Sequence, residues 1–195
     1  MKAALARWRA APAALPPGYR PGATAARVLA DLRAARDGAS GASEVARLPN
    51  GVRVSATEQV ARQFLMHTVG VRIAVTARGP AAQGRARVQQ TGWLRRTGVR
   101  AAPQPGCDRG FAQTVDALLA EPALAAALRP LHLADCTIDA DDGRWTLAIV
   151  PFGGSEVVNR MPSFRRYVRL TDEQAAALSA ACAAFDRALR GFLRR

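Results

Sequence analysis

The clearest pattern in the chain lies at residues 69–76. Val69, Val71, Ile73 and Val75 alternate with Gly70, Arg72, Ala74 and Thr76, the period of a strand with one apolar and one mostly polar face. The other strong signal is near the C-terminus. Leu178, Cys182, Phe185, Leu189 and Phe192 recur every three or four residues, which predicts a long helix over about 172–193 with a continuous apolar stripe. Thr171 and Gln174 have the spacing of a capping box at its start. Asp172 and Glu173 at its beginning and Arg190, Arg194 and Arg195 at its end suit the helix dipole.

Weaker patterns fill the space between. Residues 10–22 (AAPAALPPGYRPG) are too rich in Pro and Gly for regular structure and predict an extended arm. A short helix follows from about Thr24 to Arg36, and DGASGAS (37–43) reads as a flexible break. Asn50-Gly51 predicts a turn and Val52-Arg53-Val54 a short strand. Ser55 stands three residues before Glu58, a second capping-box spacing, and predicts a helix over about 56–66 with Val60, Phe64, Ala61 and Leu65 inward. Strands are predicted over Arg85–Thr91 and Trp93–Arg100, then a Pro/Gly break at 101–106. Asp108 caps a predicted helix over about 109–120, and Pro122 starts a further helical piece. Two strands flank the turn signal Asp141-Asp142-Gly143, and the second, Trp145–Pro151, is apolar enough to be central. Residues 152–163 read as a connection and Phe164–Leu170 as a strand, with Phe164, Arg166, Val168 and Leu170 on one face.

Strands that follow one another with helices between and after, without strict alternation, predict an α+β fold: a largely antiparallel sheet with the long C-terminal helix packed across it. Residues 1–43 form an arm and short helix, and 44–195 a single α+β domain of ordinary size.

Composition adds a charge map. The chain carries 28 Lys and Arg against 15 Asp and Glu, a net charge of +13, and Lys2 is its sole lysine. The 43 alanines and the Arg excess match the codon bias of a GC-rich bacterial genome. Codon bias does not explain the uneven spread. Residues 51–106 hold nine Arg and one acid, whereas 107–150 hold three Arg and seven acids. Such a balance favours anionic partners.

Cys107, Cys136 and Cys182 are far apart and odd in number, as expected of reduced, buried thiols in a cytoplasmic protein. No metal site is expected, because no CxxC occurs and His67 and His132 are the only histidines. His67 is expected at a helix end. No apolar run reaches the roughly 18 residues of a membrane span, and Arg7 and Arg9 interrupt any secretory signal. No cofactor motif stands out. Gly79 and Gly84 frame a loop that lacks the Lys and helix of a phosphate cradle. Ser155 lacks the second Gly of a nucleophile elbow, since Val157 stands there.

Two constellations carry candidate chemistry. The first is FGGSEVVNRMPSFRRY (152–167). Gly153-Gly154 would let backbone approach a ligand, Ser155, Glu156 and Asn159 offer polar groups, and Arg160, Arg165 and Arg166 could grip an anion. A charged Arg166 on a core-facing row would need an acceptor, either Glu156 or a bound anion. The second is the Arg-rich strand region, with Arg72, Arg85, Arg87, Arg95, Arg96 and Trp93, whose composition suits a nucleic-acid platform. The bland reading of the first is a polar loop and of the second a solvated hairpin. The preferred function is a non-enzymatic domain that binds an anionic small molecule or partner through the 153–166 loop. The alternatives are a nucleic-acid-associated protein and an enzyme, of unknown class, centred on Glu156 and Arg160. A pocket behind the last helix would favour a small-molecule carrier; a continuous positive face would favour nucleic acid.

The strings WTLAIVPFGGSEVVNRMPSFRRYVRL (145–170) and TGWLRRTGVR (91–100) resemble a family of uncharacterised, mostly proteobacterial proteins known as a domain of unknown function. The resemblance covers most of the chain after about residue 45. It implies a bacterial, cytoplasmic single domain and carries over no activity.

Overall fold

A computed structural model of the chain describes residues 19–62, 66–91, 98–160 and 163–194. Ten strands form one sheet, and every strand pairing in it is antiparallel. With four helices among the described residues, including a C-terminal helix of 21 residues, the fold is α+β as expected.

The strands are β1 (Ala35–Ser40), β2 (Ser43–Arg47), β3 (Arg53–Arg62), β4 (Met66–Arg78), β5 (Gly84–Thr91), β6 (Gly98–Pro103), β7 (Leu133–Asp141), β8 (Arg144–Pro151), β9 (Ser155–Arg160) and β10 (Ser163–Val168). The helices are α1 (Ala23–Asp31), α2 (Arg109–Ala120), α3 (Pro122–Leu128) and α4 (Asp172–Phe192). The main strand path runs β1-β2-β3-β4-β8-β7-β5-β6, while β9 pairs with β4 and β10 with β9. The predicted central strand at 145–151 is central: β8 lies between β4 and β7.

Alternation sorts the sheet into two faces. Val71, Ile73 and Val75 of β4, Trp145, Leu147 and Ile149 of β8, and Cys136 and Ile138 of β7 are buried on one face. They share a hydrophobic cluster with Val28 and Leu29 of α1, Phe111 and Val115 of α2, Leu124 and Leu128 of α3, and the α4 stripe of Leu178, Cys182, Phe185 and Leu189. All four helices therefore contribute to one core. Thr171 and Gln174 make the expected capping box, and Asp108 accepts a hydrogen bond from the Phe111 amide as predicted. The indole of Trp145 stacks on Phe111, with ring centroids 5.3 Å apart, and its N–H donates to the Pro80 carbonyl. Gly79 and Gly84 make room for this pair. A Cβ at Gly79 would come within 2.6 Å of the Trp145 ring, and one at Gly84 within 2.7 Å of Phe111.

Several expectations are corrected. Residues 37–43 are not a flexible break but part of the β1–β2 hairpin. The predicted break at 101–106 is half strand, because β6 extends to Pro103. The 152–163 connection contains β9, so this region is a hairpin rather than a loop. The largest change is at 56–62, where the expected helix is β3, paired on both edges with β2 and β4. The segment satisfies either period locally; ladder hydrogen bonds from two neighbours decide it. Glu58 still caps a helix, though a distant one. Gly22, the residue before α1, has no capping side chain of its own. The Glu58 carboxylate instead accepts from the amides of Gly22, Thr24 and Ala25 at 2.9, 2.7 and 2.9 Å, and from the Tyr19 hydroxyl.

β4 carries the sheet's branching point. Its residues Ile73–Arg78 pair with β8 and its residues Met66–Val69 with β9, on the same edge. Phe152, Gly153 and Gly154 form the step between these two partners. The step is packed shut: a Cβ on Gly153 would lie 2.9 Å from Gln174 Oε1, and one on Gly154 2.8 Å from Val28 Cγ2. Gly154 also has φ +82°, a backbone conformation that favours glycine. The two glycines thus bring backbone close to α1 and α4, not to a ligand. Gly154→Ala should cost roughly 2 kcal/mol from strain and crowding together. The check is a lower denaturant midpoint with an unchanged m-value; an unaltered midpoint would contradict this account of the step.

Candidate functional site

The residues of the 152–167 string divide between two faces of the sheet. Paired residues of antiparallel strands project to the same side. Glu156 pairs with Val69 and Tyr167, so it faces the helices; Val157 pairs with Thr68 and Arg166, so Arg166 faces away from them.

The helix-side group is a closed network. Glu156 is buried and ion-paired with Arg27 of α1 at 3.7 Å and with Arg165 of β10 at 3.3 Å. The guanidinium of Arg27 lies over the Tyr167 ring. The Tyr167 hydroxyl donates to Asp31, which also accepts from Arg169 Nε and the Leu170 amide. Ser155 is buried and its hydroxyl donates to the Phe152 carbonyl at 2.7 Å, holding the β8–β9 step. These groups bind α1 to the β9–β10 hairpin and satisfy one another.

Arg166 does not fit the expectation of a core-facing charge. It is exposed, Phe164 beside it is 46% exposed, and Glu156 pairs with Arg27 and Arg165 instead. The reason is architectural. Among the described residues no helix covers the face that carries Phe164 and Arg166, so a charge there stays in water. The Arg160 side chain, and all of Trp93, Arg95 and Arg96, lie outside the described residues. Asn159 pairs in register with Phe164, on the open face. His67, expected at a helix end, is buried in β4 and pairs in register with Val158.

The open face gathers most of the arginines of the described strands. β4 and β8 contribute Arg72, Arg78 and Arg144; β5 and β6 contribute Arg85, Arg87 and Arg100. β2 and β3 add Arg47 and Arg53, and β10 adds Arg166. Facing them are Asp37 of β1 and Asp135, Asp139 and Asp141 of β7. Asp139 pairs with both Arg72 and Arg85, and Asp135 with Arg87 at 3.0 Å. Between these charges the side chains are small, including Gly70, Ala74, Thr137 and Ala148, with a Thr76–Thr146 hydroxyl contact. Arg72, Arg85, Asp135, Thr137, Ala148 and Gln59 line a depression of about 450 Å³. The expected trio Arg72, Arg85 and Arg87 is thus brought together. Its aspartate partners were missed, although Asp135, Thr137, Asp139 and Asp141 alternate with Cys136, Ile138 and Ala140 in a readable period of two.

Two buried thiols and both tyrosines on the core side are held in their neutral forms. Burial pushes the Cys182 thiol up to about 12 and raises Cys136 further, with the nearby Asp135 charge adding to the effect. Both tyrosines of the chain, Tyr19 and Tyr167, are raised well above their ordinary value, first by burial and then by donating to Glu58 and Asp31. A group whose pKa is higher in the folded state stabilises the fold below its unfolded pKa and loses that contribution as pH rises through the folded one. Stability should therefore fall above about pH 10, the unfolded tyrosine value. Tyrosinate absorbance should appear in one step together with unfolding. Two tyrosines titrating gradually near pH 10 in an intact fold would contradict the Tyr19–Glu58 and Tyr167–Asp31 bonds.

No single helix among the described residues is long and apolar enough to cross a membrane. No curated protein and no solved structure matches the chain. The family resemblance of the 145–170 string is confirmed and extended toward the N-terminus, since the family model described as "Protein of unknown function (DUF3156)" matches residues 30–189, from the end of α1 through most of α4. The chain, with its branched sheet, its helix-covered side and its open basic face, belongs to the DUF3156 family.

Proposed function

We propose that this is a non-enzymatic domain that binds an anionic partner through the open face of its sheet. One observation carries the reading: the strands place nine arginines on that face against four aspartates, while Glu58, Asp31 and Glu156 are used on the helix side. The existing pairs do not block a partner. Arg72, Arg85 and Arg87 have side chains 33–44% exposed, and ion pairs at such sites are worth only about 0–1 kcal/mol. An incoming anion replaces one weak contact with another and gains from the surplus charge. The 153–166 segment takes part through Arg166 and Asn159, which share this face; Ser155, Glu156 and Arg165 act in the helix-side network.

The test is binding to inorganic polyphosphate, with two double variants of equal charge loss. Arg85→Gln with Arg87→Gln should weaken binding at least tenfold and lower its salt sensitivity, because fewer counterions are displaced. Arg187→Gln with Arg194→Gln removes two exposed arginines from the C-terminal helix region and should leave binding close to the parent value. Equal losses in both variants would reduce the effect to bulk charge and overturn the proposal, as would a parent protein that does not bind.

A further inference from the structure

We infer that the anion recognised by the open face is single-stranded nucleic acid, held by its phosphates on the arginines and by its bases on Phe164 and Phe152. This inference rests on the proposed anion-binding role of that face.

The spacing of the charges argues for a polymer. Arg72 of β4 and Arg100 of β6 are four strand spacings apart on the path β4-β8-β7-β5-β6, or roughly 19 Å at about 4.8 Å per spacing. Arg166 lies on the far side of the branching point, level with Thr68 and so four residues along β4 from Arg72. A small anion cannot touch such separated guanidiniums. A chain with regularly spaced phosphates can, and the small side chains of Gly70, Ala74 and Ala148 leave its path unobstructed.

The exposed aromatic rings argue for bases. Among the described residues three large hydrophobic side chains are exposed: Phe152 at 55%, Phe164 at 46% and Leu193 at 54%. Two of the three are phenylalanines, Phe152 at the β8–β9 step and Phe164 beside the β9–β10 turn at the other end of the hairpin. Phe164 shares the open face with Arg166 on β10, an edge strand. Phe152 sits two residues beyond Val150, which lines the depression holding Arg72 and Arg85. Large apolar groups left in water beside a basic face are the pattern of base-stacking surfaces, where a ring meets an unpaired base and arginines hold the backbone. A duplex keeps its bases stacked inside and gains nothing from the rings. A run of Asp and Glu satisfies the arginines and has no aromatic ring to stack on the phenylalanines.

The test is fluorescence anisotropy with a labelled oligothymidylate, compared with a duplex of equal length, inorganic polyphosphate and polyglutamate. The oligothymidylate should bind more tightly than the other three. Stacking on an aromatic side chain is worth about 1–3 kcal/mol per base, so Phe164→Ala should weaken oligothymidylate binding roughly 5- to 150-fold and leave polyphosphate binding unchanged. Phe164→Leu keeps the apolar bulk, lacks the ring face and should lose nearly as much. Phe152→Ala should act in the same direction, and unchanged melting temperatures would show these variants to be folded. If polyphosphate binds with the Arg85 and Arg87 dependence given above while the phenylalanine variants bind oligothymidylate like the parent, the nucleic-acid inference fails and the anion-binding role survives. Duplex or polyglutamate binding as tight as the single strand also overturns it. If no polyanion binds, both fall together.

Discussion

Glu58→Ala should lower the stability of the domain by about 3 kcal/mol, although the residue is only partly buried. Its carboxylate accepts from three backbone amides at the start of α1 and from the Tyr19 hydroxyl. Hydrogen bonds to charged groups contribute about 1.5–3 kcal/mol each, and removing a helix cap costs roughly 0.5–2 kcal/mol. The sum is not additive, because the freed amides recover some water. At roughly 2–4 °C per kcal/mol for a chain of this size, the melting temperature should fall by about 6–12 °C. Glu58→Gln keeps one acceptor oxygen and should lose less. Amide exchange at Thr24 and Ala25 should speed up more than exchange in α4. A Glu58→Ala protein with the parent's melting temperature would show that α1 is held by its Val28–Leu29 contacts alone.

Trp145→Ala should cost roughly 4 kcal/mol, the range for deleting a large buried aromatic. Three contacts are lost together: the stack on Phe111, the hydrogen bond to the Pro80 carbonyl, and the cover over Gly79. The Pro80 carbonyl is left without its donor, which adds to the cavity term. Trp145→Phe refills part of the space and should recover about half the loss. Chemical denaturation of both variants measures this. A Trp145→Ala loss below about 1 kcal/mol, the low end of buried truncations, would place the centre of the core elsewhere.

The site divides along a similar line between near and far. The alternation of β4 was readable because Val71, Ile73 and Val75 pack on the core while Arg72 does not, and the same period put Arg85 and Arg87 on one row. What could not be read was that the Arg72 and Arg85 rows meet at Asp139 of β7, which lies 54 residues after Arg85 in the chain. Arg166 was misplaced for the same reason. Its period of two was right, and the side of the sheet was wrong, because nothing local says which face of an edge strand the helices cover. The string FGGSE reads as a ligand loop from its residue types, yet its glycines serve the close approach of Val28 and Gln174.

From the residues alone come the elements with strong periods and local caps: the 69–76 strand, the apolar central strand at 145–151, the Asp108-capped helix and the long C-terminal helix behind Thr171 and Gln174. They are legible because an apolar period or a capping side chain shows within a few residues, whichever distant partners the fold then supplies. The tertiary structure decided β3, the β1–β2 hairpin, the branching of β4 and the division of the charges into a helix-side network and an open basic face. Each of these depends on a partner distant in sequence, such as β2 and β4 for the 53–62 strand or α1 for Glu58. A ladder of hydrogen bonds or a carboxylate on an unsatisfied helix end outweighs the few tenths of a kcal/mol by which local propensity separates helix from strand.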